Sequence, residues 1–156
     1  QRSIGSKSTL KDLEKWVNTL IETNDWGVGM THGLTYGYDA FRNPQRLWDH
    51  LDQVKARENE IWVGTFREVA SYIKEREETR LEVVNKKNTL LITPELKLDQ
   101  ELFVEPLTMV ITGKEIKKVT VKQGKRRLPV QITDDKVLFD FDPYGGMIKV
   151  TLKIQK

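Results

Sequence analysis

The sequence predicts an α/β layer followed by an antiparallel β-sandwich, so the fold class is α/β plus all-β. Over residues 1–80, short apolar runs alternate with amphipathic helical patterns, the signature of strands joined by crossover helices. From Leu81 onward the apolar residues recur with period two, in runs punctuated by turn signals about every ten residues. The 156 residues, 38% hydrophobic and 31% charged, have the composition of a folded globular protein with room for one domain or two small ones. The change of period places a boundary near Arg80, without a flexible linker, giving regions 1–80 and 81–156.

Each element has its own signal. In "STLKDLEKWVNTLIETN", Leu10, Leu13, Val17, Leu20 and Ile21 share one helical face, with Ser8 or Thr9 as N-cap. A short strand follows through Trp26–Met30, and "LTYGYDAFRNP" reads as a loop because two tyrosines, a glycine and Asn-Pro break any period. Asn43-Pro44 starts a second helix with a buried stripe of Leu47, Leu51 and Val54. "IWVGTF", Ile61–Phe66, reads as a second strand. Thr65 and Glu68 then form a T-x-x-E capping box into a third helix, with Phe66, Val69, Ala70 and Ile73 as its apolar face.

Two strands do not complete a parallel layer, which needs both faces covered and further strands to pair with. The first region therefore reads as the tail of a larger α/β domain, exposing an apolar surface around Leu10, Leu13, Val28 and Met30. The second region supplies "LEVV", "TLLIT", "PLTMVIT", "KKVTVKQ", "LPVQIT", "KVLFDF" and "MIKVTLKI", parted by Asn-Lys, Gly-Lys, Asp-Asp and Gly-Gly turns. In the last of these, Ile148, Val150, Leu152 and Ile154 point one way and Lys149, Thr151 and Lys153 the other.

Composition also excludes. There is no cysteine, so disulfides and thiolate metal sites are ruled out. No run reaches the roughly 18 apolar residues of a transmembrane helix. The sequence opens at Gln1 without a methionine or a signal peptide and reads as a processed or truncated chain. The excess positive charge lies in the second region, mostly in "KEIKKVTVKQGKRR", Lys114–Arg127. That cluster suits phosphates or acidic polymers. No aromatic platform is interleaved with it, which argues against nucleic acid, and the plainer reading is an edge hairpin guarded by lysines.

His32 is the leading candidate for chemistry. Ligands and catalytic side chains collect at the carboxyl ends of strands in α/β domains. His32 stands at such an end, and Gly33 after it permits a tight turn and close approach of a substrate. A histidine there suits general acid or base work. Tyr36 and Tyr38, in the loop that follows, offer faces to a sugar ring. Trp26 and Trp62 read as core residues at strand starts, His50 as a surface residue of the second helix, and "DPYGG" (Asp142–Gly146) as a hairpin turn.

"WGVGMTHGL", followed by "IWVGTFREVASYIKERE", resembles the C-terminal portion of a NodB-type polysaccharide deacetylase of carbohydrate esterase family 4. Val28, Gly29, Met30, Thr31 and His32 match that family's last motif, an apolar strand ending in histidine. Trp62–Phe66, Tyr72–Arg76 and "VLFDFDPYGGMIKV" resemble a secreted bacterial branch whose distorted (β/α) barrel is followed by a β-sandwich. The resemblance implies metal-dependent removal of acetyl groups from an acetylated polysaccharide or oligosaccharide, outside the cytoplasm: secreted, periplasmic or at the cell surface. It implies His32 as the general acid, with Thr31, Gly33, Tyr36 and Tyr38 towards substrate, and a divalent metal such as zinc in the complete enzyme.

The chain departs from the family in having no Thr-Phe-Asp-Asp-Gly, His-x-x-x-His or Arg-x-Pro-Tyr-Gly. Those motifs carry the base, the metal ligands and part of the groove. This stretch is therefore expected to bind no metal itself, and to need a missing N-terminal barrel half or another chain. The rival expectation is a non-catalytic carbohydrate-binding or structural β-sandwich module.

Overall fold

The fold is seen in a computed structural model that describes residues 2–113, 116–133 and 135–154, the side chains of 116, 117, 153 and 154 excepted. Lys114 and Glu115 of the basic cluster, Asp134 of the Asp-Asp turn and the inward side chain expected of Ile154 lie outside these residues. The chain divides into two compact units, Gln1–Gly64 and Thr65–Lys156.

The first unit is built on a strand–helix–strand turn. Strands β1 (Arg2–Ser3) and β2 (Gly29–Met30) pair in parallel, and helix α1 (Leu10–Thr23) connects them. Arg2 N donates to Val28 O at 2.8 Å and Ile4 N to Met30 O at 2.9 Å, extending the ladder by a residue at each end. Thr9 caps α1 through a reciprocal box with Asp12. Leu13 is fully buried with Ile4 and Phe41, and Leu47 packs on this small cluster. Gly27 and Gly29 let the helix lie close: a Cβ at Gly27 would collide with Leu20, and one at Gly29 would press on Ile4 and Trp16. Helix α2 (Gln45–Lys55) follows the loop after β2.

Several expectations are corrected here. β2 pairs with Arg2–Ser3, a dipeptide too short and polar to show a period, whereas Ile61–Thr65 forms no strand, with Trp62 and Val63 exposed. Leu13 belongs to the unit's own core, so the apolar surface expected around it shrinks to exposed Met30 and half-buried Leu10 and Val28. On α2 the buried side chain is His50, 5% exposed, while Leu51 is exposed.

The second unit opens with helix α3 (Phe66–Glu78), capped by the expected Thr65–Glu68 box. Its buried positions are Ser71 and Glu75 rather than the apolar face read from the sequence, and Phe66 is exposed. Among the described residues eight strands follow: β3 (Arg80–Lys86), β4 (Thr89–Glu95), β5 (Leu107–Thr112), β6 (Ile116–Gln123), β7 (Arg126–Leu128), β8 (Gln131–Ile132), β9 (Lys136–Phe141) and β10 (Ile148–Ile154). Every pairing among them is antiparallel. They form a five-stranded sheet, β3-β4-β10-β6-β7, and a three-stranded sheet, β5-β9-β8.

One buried cluster draws on both sheets, Val121, Ile148 and Val150 from the first and Val137, Phe139 and Phe141 from the second. This is the arrangement of two sheets sharing a core, and the molecule is mixed helical and antiparallel, with no closed barrel among the described residues. Tyr72 of α3 packs on the same cluster, and Glu75 Oε1 accepts from Glu105 N at 3.0 Å. Those contacts explain why the units part at Gly64, before α3, although the period changes at Arg80.

Asp142–Gly146 is not a hairpin turn, because β9 and β10 belong to different sheets. It carries the chain from one sheet to the other. Gln123 holds it: Nε2 donates to Asp142 O at 2.6 Å and Gly146 O at 3.2 Å, while Oε1 accepts from Asp142 N at 3.1 Å.

Candidate functional site

The loop after β2 carries all the residues singled out for chemistry, and its base is fixed while its tip is open. Phe41 N donates to Gly33 O at 3.2 Å, and Ala40 and Phe41 beyond it are buried. Thr31 Oγ1 donates to Gly33 O at 3.2 Å and lies 3.4 Å from Gly33 N, a local turn that closes directly after the strand. Gly33 is required: a Cβ there would collide with the Tyr36 carbonyl oxygen. Gly37, with φ of 116°, takes the loop through a conformation that side chains disfavour.

A second strut ties this loop to the one after β1. Asp39 Oδ1 accepts from Ser6 Oγ at 2.6 Å and from Ser6 N at 3.2 Å. The Ser6 hydroxyl holds the Asp39 carboxyl below its ordinary range, and the Ser6 amide, His32 and Lys7 push the same way. Arg46 Nη1 donates to Ser6 O at 3.0 Å and Ser8 O at 2.9 Å, so α2 anchors the same corner. A hollow of about 380 Å³ lies there, lined by Ser6, Lys7, Thr9, Leu10, Asn43, Arg46 and Asp49. Ser6, Asp39 and Arg46 escape a reading of the sequence, since Ser6 and Asp39 lie 33 residues apart and share no local pattern.

His32 is exposed at the carboxyl end of β2, where the sequence places it. Its ring meets that of Tyr38 edge-on, with centroids 5.5 Å apart. Tyr36 and Tyr38 are 88% and 84% exposed, so both rings face solvent. Trp26 and Trp62, expected in the core, are 42% and 54% exposed. His50 is no surface residue and no part of this site. It is buried on α2 with Nδ1 lacking a hydrogen-bond partner among the described residues, and burial pushes its pKa down.

A metal would find a poor set of donors here. Asp39, a carboxylate of the same loop as His32, is already engaged by Ser6, and no three His, Cys, Asp or Glu side chains converge among the described residues. No family model, no curated protein and no solved structure matches this chain. Among the described residues, no helix is long and apolar enough to cross a membrane. What the loop offers chemically is an accessible imidazole on a fixed base, beside two exposed phenol rings, at the carboxyl end of a parallel strand.

Proposed function

We propose that residues 1–156 are the C-terminal part of a metal-dependent deacetylase of an acetylated sugar polymer, with the strand–helix–strand unit of residues 1–64 contributing to the last units of a distorted (β/α) barrel and the strands of 81–156 forming its trailing β-sandwich. The observation that carries this reading is His32, exposed at the carboxyl end of a strand in a parallel strand–helix–strand unit. In the proposed reaction His32 donates a proton to the amine or alkoxide that leaves as the acetyl group is hydrolysed. Gly33 and the Thr31 turn set its height above the strand, and Tyr36 and Tyr38 present ring faces to a pyranose. In the complete enzyme a divalent metal held by residues outside this sequence would supply polarisation of the acetyl carbonyl and activation of water. Its ligands and the general base belong to motifs this sequence does not contain. The polymer is met outside the cytoplasm, in keeping with the secreted branch that the sequence resembles.

Acetate release from acetylated chito-oligosaccharide and acetylated xylan, with zinc or cobalt supplied, tests the proposal. The longest natural protein containing residues 1–156 is expected to release acetate, and the 156-residue chain alone to release none. Release by the short chain would overturn the division of labour. Release by neither would leave a non-catalytic sandwich module as the better account.

A further inference from the structure

The outer face of the five-stranded sheet gathers like charge where sheets ordinarily avoid it. On β10, β6 and β7 the inward side chains Ile148, Val150, Val119, Val121 and Leu128 are buried. Alternation sends Lys149, Lys118, Lys122 and Arg127 to the opposite face, and all four are exposed. The register sets Lys149 opposite Lys122, and Lys122 opposite Arg127, so three cations stand in one row across three strands. Two residues along, Thr89, Thr151 and Thr120 form the next row, and two further on Lys153 is paired with Lys118.

β6, β7 and β10 contain no acidic residue, and none of the four exposed cations has an ion-pair partner among the described residues. Like charges placed directly opposite one another destabilise a sheet. Lysines that protect against aggregation belong on edge strands, which accounts for Arg127 on β7. It does not account for Lys122 or Lys149, because β6 and β10 are interior strands.

We propose that this face binds a linear anionic polysaccharide bearing carboxylate or sulfate groups. Adjacent strands lie ~4.8 Å apart, so the three cations fall within ~10 Å and engage neighbouring anionic groups of one polymer together. The bound anions relieve the repulsion within the row. The threonine row beside it supplies hydroxyls that both donate and accept, matching the hydroxyls of sugar rings. Nucleic acid fits less well, since the outward positions of these strands hold no aromatic side chain on which a base would stack. The row runs on from Lys149 to Leu91 of β4 and Val84 of β3, but β10, β6 and β7 themselves present no apolar side chain on this face for insertion into lipid, so a lipid surface is the less favoured partner. The inference uses only the second unit and stands or falls apart from the deacetylase reading.

Binding of the 156-residue chain to polygalacturonate, with neutral dextran as control, tests it by calorimetry at about 50 and about 200 mM salt. The expected result is binding to polygalacturonate alone, weakening as salt rises. The triple variant Lys122→Gln, Arg127→Gln, Lys149→Gln should bind at least about tenfold more weakly. It should melt no lower than the parent, because the opposed charges are gone. Removing equal charge on α3 of the same unit, with Arg67→Gln, Lys74→Gln and Arg76→Gln, should leave affinity within about twofold, since that helix packs through Tyr72 on the core and carries no part of the outward rows. No binding, an equal loss in both triple variants, or tighter binding to duplex DNA or to phosphatidylserine vesicles than to polygalacturonate would overturn the proposal.

Discussion

Glu75 is a carboxylate in a place that disfavours charge. It is fully buried, Oε1 accepts one bond from Glu105 N, and Oε2 has no partner among the described residues. Burial raises its pKa, and the Glu105 and Asp142 carboxylates add to the rise while the Glu105 amide opposes it. A carboxyl whose pKa is raised by folding contributes stability that is fully present below the ordinary carboxylate range and is lost as pH rises through the folded value. Glu75→Gln keeps an acceptor for Glu105 N and removes the charge. It is therefore expected to stabilise the second unit at pH 8 by about 1 kcal/mol, with a smaller gain at pH 5. Urea unfolding at the two pH values checks this, and a gain that does not change with pH would show that ionisation of Glu75 is not its cause. The residue scale is also where the sequence was least legible. Nothing near Glu75 announces burial, because its partner Glu105 lies 30 residues on. His50 likewise looks like a polar residue on an exposed helical face, and only the packing of the first unit buries it.

Elements with local causes were legible, and elements with distant causes were not. The Thr65–Glu68 box is encoded within four residues, and the expected reciprocal bonds form: Glu68 Oε2 accepts from Thr65 N at 2.6 Å and Thr65 Oγ1 from Glu68 N at 3.3 Å. Thr65→Ala should cost about 1 kcal/mol, while Thr65→Ser keeps most of the cap. Denaturant unfolding distinguishes them, and an equal cost for both would point to the methyl group rather than the hydroxyl. Most of the period-two strands after Leu81 were legible for the same reason, since alternation is a local consequence of one buried face, but "LPVQIT", read as one strand, divides between β7 and β8, which belong to different sheets. By contrast β1 needs β2 to exist, and its partner lies beyond an entire helix. Asp142–Gly146 has the residues of a turn, but a turn signal does not say which sheet receives the next strand.

Across the whole molecule, the two-part organisation was visible as a change in hydrophobic period, while the place of α3 was not. The helix precedes the change at Arg80 yet belongs with the sandwich-like unit, through Tyr72 and Glu75. The candidate site divides in the same way. Position and glycine around His32 could be read along the chain, whereas the Ser6–Asp39 strut that fixes the loop's base arises only when β1 and β2 come side by side. The central claim is that His32 acts as a proton donor on a sugar polymer's acetyl groups. It is tested most directly by His32→Ala in the longest natural protein that contains these residues, reading acetate release and bound metal together. The account predicts turnover lower by about 10²–10⁴ with metal content unchanged. Unchanged turnover, or loss of the metal on that substitution, would contradict it.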